Sequence, residues 1–180
     1  MKKFASWLLG VWGWRLIRPT DNPPKSVICV APHTSNYDFI LGKLYYSAIG
    51  RRANFLMKKD WFIFPLGLVM KAMGGIPVDR SQRFSLVDRL AESINARSRV
   101  TLAITPEGTR RATDRWKTGF YRIALATGIP IQLAVIDYKK RELGIFETFW
   151  PTGNEERDLH YIRSRYSKEQ ARFPENFIEV

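Results

Sequence analysis

The chain has 180 residues and a mass of 20.9 kDa, room for one domain and little more. Its 45% hydrophobic and 26% charged residues exclude a disordered tail, a collagen-like chain and a coiled coil. A single cysteine, Cys29, excludes a disulfide framework and a Cys-rich zinc site and fits a reducing compartment, and His33 and His160 are too few for a His-built metal centre. Twenty-nine Lys plus Arg against seventeen Asp plus Glu give a net charge of +12. Such a field attracts polyanions, so nucleic acid, anionic lipid and a phosphorylated substrate are all admitted.

Phe4 to Trp14 carries no charge, with Lys2 and Lys3 before it and Arg15 and Arg18 after it. A helix of this length reaches roughly 17 Å, well short of the ~30 Å hydrocarbon core of a bilayer. No small-x-small cleavage site follows, which argues against a signal peptide. Three tryptophans between flanking cations suit an interfacial anchor over residues 1–18, because indole prefers the headgroup boundary and Lys or Arg meets phosphate. The alternative is a helix that packs on the domain. Thr20 to Lys25 contains two prolines and reads as a linker, with the main domain expected over 26–180.

Beyond it, strands alternate with helices. Val27 to Val30 is a continuous apolar run, as a buried strand requires. Ser35 to Ile49 reads as a helix with Ser35 and Asp38 in capping-box spacing. Asn54 to Met57 is a second strand, followed by an apolar stretch from Trp61 to Met73 broken at Pro65. Ile76 to Val78 is a short strand. Ser85 to Arg97 is an amphipathic helix, with Ser85 and Asp88 again in capping-box spacing. Val100 to Thr105 is a strand, Gly119 to Thr127 a helix stopped by Gly128 and Pro130, and Ile131 to Ile136 a further buried strand. Glu155 to Lys168 is a polar terminal helix. The alternation predicts an α/β fold with a mostly parallel central sheet flanked by helices.

Sites in such sheets form at the carboxyl ends of strands, and three segments there carry unusual residues. His33 and Asp38 lie five apart across a loop-to-helix junction. The helix start can fold back so that the carboxylate meets one ring nitrogen and leaves the other to act as a base. With Ser35 better placed as a cap and no cysteine beside His33, the chemistry suggested is direct attack by a substrate hydroxyl. Spacing alone favours the plainer reading, a loop histidine beside a capping aspartate. Glu107-Gly108-Thr109-Arg110 puts backbone amides, a hydroxyl and a guanidinium past a strand, a set suited to phosphate or to a plain surface turn. Gly74-Gly75-Ile76-Pro77-Val78-Asp79-Arg80 allows close backbone approach, and Arg80 either adds a cation or pairs with Asp79.

In order and spacing, these segments resemble the lysophospholipid and glycerol-3-phosphate acyltransferase superfamily. The resemblance rests on His33-x4-Asp38, Gly75-Ile76-Pro77-Val78-Asp79-Arg80, Pro106-Glu107-Gly108-Thr109-Arg110 and Gly128-Ile129-Pro130-Ile131, with the lead-in Lys59-x5-Pro65-x-Gly67. It implies transfer of a fatty acyl chain from acyl-coenzyme A or acyl-acyl carrier protein, as co-substrate, to a lysophospholipid hydroxyl such as that of a 1-acylglycerol-3-phosphate. By the same resemblance His33 is the general base and Asp38 its orienting partner. Arg80, Glu107, Gly108, Thr109 and Arg110 would hold the acceptor, and Lys59 or loop amides would serve the oxyanion. Neither a metal nor another cofactor is implied, since the thioester is already activated.

An anionic membrane surface then becomes the expected partner, at the cytoplasmic face and in a peripheral or monotopic manner, and nucleic acid is not expected. Thr105 stands where the family often has an aromatic residue, and Gln132 and Leu133 replace a usual second proline. These departures leave open another lysolipid or an amino-acid lipid as acceptor. A non-catalytic lipid-binding protein is the alternative of a different class. Trp61 to Met70 is expected either to line an acyl groove or to form a core helix.

Overall fold

The structure is a computed structural model that describes residues 2–78 and 83–180. Seven strands form one sheet: β1 (Arg15–Ile17), β2 (Lys25–Val30), β3 (Asn54–Lys58), β4 (Gly75–Val78), β5 (Val100–Ile104), β6 (Ile131–Asp137) and β7 (Glu142–Phe149). Their spatial order is β1-β7-β6-β2-β5-β3-β4. β6, β2, β5, β3 and β4 run parallel, β7 is antiparallel to β6, and β1 is parallel to β7. The helices are α1 (Lys2–Val11), α2 (Tyr37–Ile49), α3 (Leu66–Ala72), α4 (Arg83–Asn95), α5 (Gly119–Thr127) and α6 (Glu155–Ser164).

The continuous apolar run of β2 places it at the centre of the sheet, covered on both faces. Val27 and Cys29 face a layer that includes Leu90, Ile94, Phe120, Ile123 and Ile162 from α4, α5 and α6. Ile28, between them, points to the other face and joins Leu9, Trp14, Leu41, Tyr45 and Tyr46, as the two-residue period of a strand dictates. Full burial of each such aliphatic side chain contributes about 1.5–3 kcal/mol. The expected α/β architecture is therefore present, with α1 and α2 on one face and α4, α5 and α6 on the other.

Two strands carry no clear signal in the sequence. β7 interleaves Glu142, Glu147 and Thr148 with its apolar residues, and it is paired on both sides because β6 folds back onto it. The turn between them is closed by Arg141 at φ 56°, and Gly144 at φ 150° lets β1 approach closely. β1 lies in a basic stretch but joins β7 through Arg15, Leu16 and Ile17. The sheet thus extends across the boundary expected between residues 18 and 26. Ala5, Leu9 and Trp14 are buried, whereas Phe4, Trp7 and Val11 are 63%, 61% and 63% exposed. One stripe of α1 packs on α2, and the opposite i, i+3, i+7 stripe faces outward. Among the described residues, no helix is long and apolar enough to cross a membrane.

Three helices are bounded differently from expectation: α2 begins at Tyr37, with Asn36 and not Ser35 in the capping position. α4 is already helical at Arg83, so Ser85 lies inside it instead of capping it. α6 ends at Ser164, before the expected Lys168, because the chain turns to bury Tyr166 in the core. There the phenol donates a hydrogen bond to the Cys29 carbonyl at 3.0 Å.

Candidate active site

β6, β2 and β5 are neighbours and parallel, so the segments that follow them emerge side by side at one edge of the sheet. Beyond β2, buried Ala31 and Pro32 lead to His33, whose ring Nδ1 lies 3.1 Å from Oδ2 of Asp38 in the first turn of α2. The same oxygen accepts from the backbone N–H groups of Thr34 and Ser35, each at 3.0 Å. Asp38 therefore reaches back over the helix start as a capping carboxylate does, and it holds the imidazole at the same time. The two alternatives left open by the spacing describe one arrangement. Ser35 Oγ accepts from Tyr37 N–H at 3.2 Å and so closes the turn before the helix, where the sequence predicts a helix cap; Asn36 occupies the capping position. With Nδ1 protonated toward the carboxylate, Nε2 carries the lone pair needed to accept a proton.

The other oxygen of Asp38 belongs to a residue that motif reasoning missed. Tyr138, directly after β6, donates its hydroxyl hydrogen to Oδ1 at 2.6 Å. Burial, followed by the bond to Asp38, pushes the Tyr138 phenol above its ordinary range, so it remains a donor at neutral pH. The Arg172 guanidinium lies 4.0 Å from the centre of the Tyr37 ring and 6.0 Å from that of Tyr138. Its neighbour Phe173 donates its backbone N–H to Thr34 Oγ1 at 3.2 Å. The rule that sites gather at strand ends could have found Tyr138. Arg172 sits in a short terminal segment without a local motif.

Beyond β5 comes Glu107, only 5% exposed. Oε1 accepts the backbone N–H of His33 at 2.9 Å, while Oε2 is buried with no hydrogen-bond partner among the described residues. Burial is the main reason its carboxyl is pushed up to about 7, against the opposing hydrogen bond and charge of His33. Gly108 turns the loop at φ 62°, where a Cβ would meet Lys117 Nζ at 2.4 Å. Thr109 Oγ1 accepts from Arg111 N–H at 3.3 Å. Arg110 donates to the side-chain carbonyl of Asn36 at the start of α2, which ties the third segment to the first.

The remaining sequence-derived positions are farther along the sheet. Gly75–Val78 forms the edge strand β4, and both Asp79 and Arg80 lie outside the described residues. Lys59 is exposed in a 3-10 turn (Lys59–Trp61) that follows β3. Trp61, Ile63, Phe64, Leu68 and Val69 are all exposed, which corrects the core-helix alternative for those side chains. Because β3 is parallel to β5, this apolar patch sits at the same sheet edge as His33. Among the described residues no group of three or more His, Cys, Asp or Glu side chains is arranged to hold a metal ion.

A family model described as Acyltransferase matches residues 16–137, which takes in most of the sheet and the loops that carry His33, Asp38 and Glu107. The fold is similar to the crystal structure of the 1-acyl-sn-glycerophosphate (LPA) acyltransferase PlsC from Thermotoga maritima, at a TM-score of 0.57 and 20% sequence identity. That similarity covers 89% of this chain and 73% of the other. No curated protein sequence matches the chain.

Proposed function

The chain belongs to the acyltransferase family, and from that premise we propose that it is an O-acyltransferase. In this reading it moves a fatty acyl group from a thioester to the hydroxyl of an anionic lysolipid. The observation that carries the reading is the Nδ1···Oδ2 contact of 3.1 Å between His33 and Asp38 at the carboxyl edge of the sheet. It leaves Nε2 as a base on the side where substrate can approach.

Nε2 of His33 takes the proton of the acceptor hydroxyl as that oxygen attacks the thioester carbonyl. The tetrahedral intermediate then collapses with rupture of the C–S bond, and the departing thiolate recovers the proton from the imidazolium. Asp38 keeps the ring in one tautomer and stabilises the imidazolium that forms. Base catalysis of this kind typically supplies about 10²–10⁴-fold in rate. Lys59 or loop amides would meet the oxyanion. The reading calls for no metal or other cofactor, because the thioester supplies the activation.

Acceptor recognition falls to the second and third segments. Oε2 of Glu107, buried and unpartnered, would accept a hydrogen bond from another hydroxyl of the acceptor. A buried acceptor lacking a partner is costly until substrate satisfies it. Arg110, with Gly108, Thr109 and Arg80, would hold the phosphate. A 1-acylglycerol-3-phosphate has both groups, which supports a role in phospholipid synthesis. Coenzyme A and acyl carrier protein are both admissible carriers of the acyl chain.

Attachment to an anionic membrane at its cytoplasmic face belongs to the same proposal. Phe4, Trp7 and Val11 along α1, and Trp61, Phe64 and Leu68 near the site, present apolar surface on a protein of charge +12. Apolar insertion and attraction to anionic headgroups act together in such surfaces. The decisive experiment is thiol release from palmitoyl-coenzyme A and from palmitoyl-acyl carrier protein by protein in vesicles, across a panel of lysolipids. Release that requires a phosphate-bearing acceptor and is lost in His33→Ala supports the proposal. Release with a phosphate-free amino-acid lipid alone would overturn the acceptor assignment, and full turnover by His33→Ala would overturn the base.

A further inference from the structure

The Asp38 carboxylate is only 4% exposed, and its two oxygens are used unequally. Oδ2 faces three donors: His33 Nδ1 at 3.1 Å and the N–H groups of Thr34 and Ser35 at 3.0 Å each. Oδ1 receives the Tyr138 hydroxyl at 2.6 Å. A short bond from a phenol to a carboxylate is charge-assisted and directional. It removes negative charge from the carboxylate that faces the imidazole.

Tyr138 is itself held on several sides. Trp14 packs against its ring edge-on, with centroids 5.2 Å apart. Its backbone N–H donates to the Gln170 carbonyl at 2.9 Å. Arg172 lies over it from the terminal segment. Tyr138, Gln170 and Arg172 all lie beyond residue 137, where the family match ends.

We propose that Tyr138 is a positioning residue for the His33–Asp38 pair: its hydroxyl anchors Oδ1 of Asp38, and so sets both the orientation and the strength of the carboxylate's grip on His33. The inference rests on the reading of His33 as base, and it names a further determinant of that base's behaviour. Without the hydroxyl, Asp38 attracts the imidazolium more strongly and is less firmly oriented. His33 should then hold its proton to higher pH and abstract one from substrate less effectively. Apart from Asp38 itself, the charged and titratable groups facing the pair are Glu107 beyond β5 and Arg172 from the terminal segment. Both are retained in a Tyr138 variant, so their contributions cancel to first order in the comparison.

The test is Tyr138→Phe in the full chain, with the histidine ring resonances followed by NMR against pH. The chain has only two histidines, and exposed His160 on α6 serves as the internal control. The expected result is an upward displacement of the His33 midpoint by about half a pH unit or more, with His160 unmoved. In steady-state kinetics kcat should fall about tenfold with the acceptor KM nearly unchanged, and the acid limb of kcat/KM should move to higher pH. An unmoved or lowered His33 midpoint would overturn the proposal, as would equal displacement of both histidines. If His33 responds as expected but His33→Ala retains turnover, the catalytic reading fails while the Tyr138–Asp38–His33 linkage stands. If His33→Ala is inactive and Tyr138→Phe is normal in both assays, the positioning role fails alone.

Discussion

Glu107 offers a perturbation whose sign and size follow from its surroundings. Its carboxyl is pushed from an ordinary 4.5 up to about 7 by burial. Between those two values the native state binds more protons than the unfolded chain, so stability falls as pH rises through the window. Below it the group is neutral in both states and the penalty vanishes. Above it the charged carboxylate is buried at full cost, about 2.5 units at ~1.36 kcal/mol per unit, or about 3 kcal/mol. From pH 5 to pH 8 the loss is about 2.5 kcal/mol. Glu107→Gln keeps an acceptor for the His33 N–H but cannot ionise. Its amide leaves a buried donor near the former Oε2, a cost of about 1–3 kcal/mol that does not vary with pH. Urea unfolding of both proteins at pH 5 and pH 8 separates the contributions. The difference in stability should move in favour of the variant by about 2.5 kcal/mol on going to pH 8. Parallel pH profiles would refute the claim that Glu107 is buried as a reluctant carboxylate.

Other outcomes follow from the same geometry. His33→Ala should lower acyl transfer by at least about 10²-fold while vesicle flotation is unchanged; loss of flotation as well would point to a folding defect. Replacing Phe4, Trp7 and Val11 by Ser should weaken partition onto anionic vesicles by about tenfold per aromatic residue. Unfolding midpoints should move little, since all three side chains are exposed; undiminished flotation would remove this stripe from the membrane surface. In Gly144→Ala the added Cβ meets the Ile17 carbonyl oxygen at 2.2 Å and sits at φ 150°. A loss of about 3 kcal/mol is expected in chemical denaturation, and an unchanged midpoint would mean that β1 does not seat closely on β7.

The parts of the site legible in the sequence are those with local character. His33 and Asp38 are close because a helix start folds back over five residues, a distance that spacing can represent. Glu107 and Arg110 are legible as chemistry, though their connections are not. That Glu107 accepts from His33 and Arg110 from the third segment reaches Asn36 follows from β2 and β5 lying side by side. Asp79 and Arg80 remain outside the described residues, so the second segment is placed only as far as Val78.

By itself the sequence determined the central strands, because buried strands need apolar runs, and residues 27–30 of β2, 102–104 of β5 and 133–136 of β6 supply them. It also determined the α/β class, through alternation of those runs with helical periods. Only the tertiary structure decided where the sheet ends. β1 and β7 are held by register and by a close approach at Gly144, neither of which leaves an apolar run to read. The same holds for Tyr138 and Arg172, which lie 100 and 134 positions from Asp38 along the chain. Their approach depends on β6 lying beside β2 and on the terminal segment folding back, and one-dimensional spacing carries no record of such neighbours. Whether an apolar side chain faces the core or the solvent was equally a tertiary outcome. Leu9 is buried because α2 covers it, whereas Trp7, two residues earlier on the same helix, lies on the uncovered face.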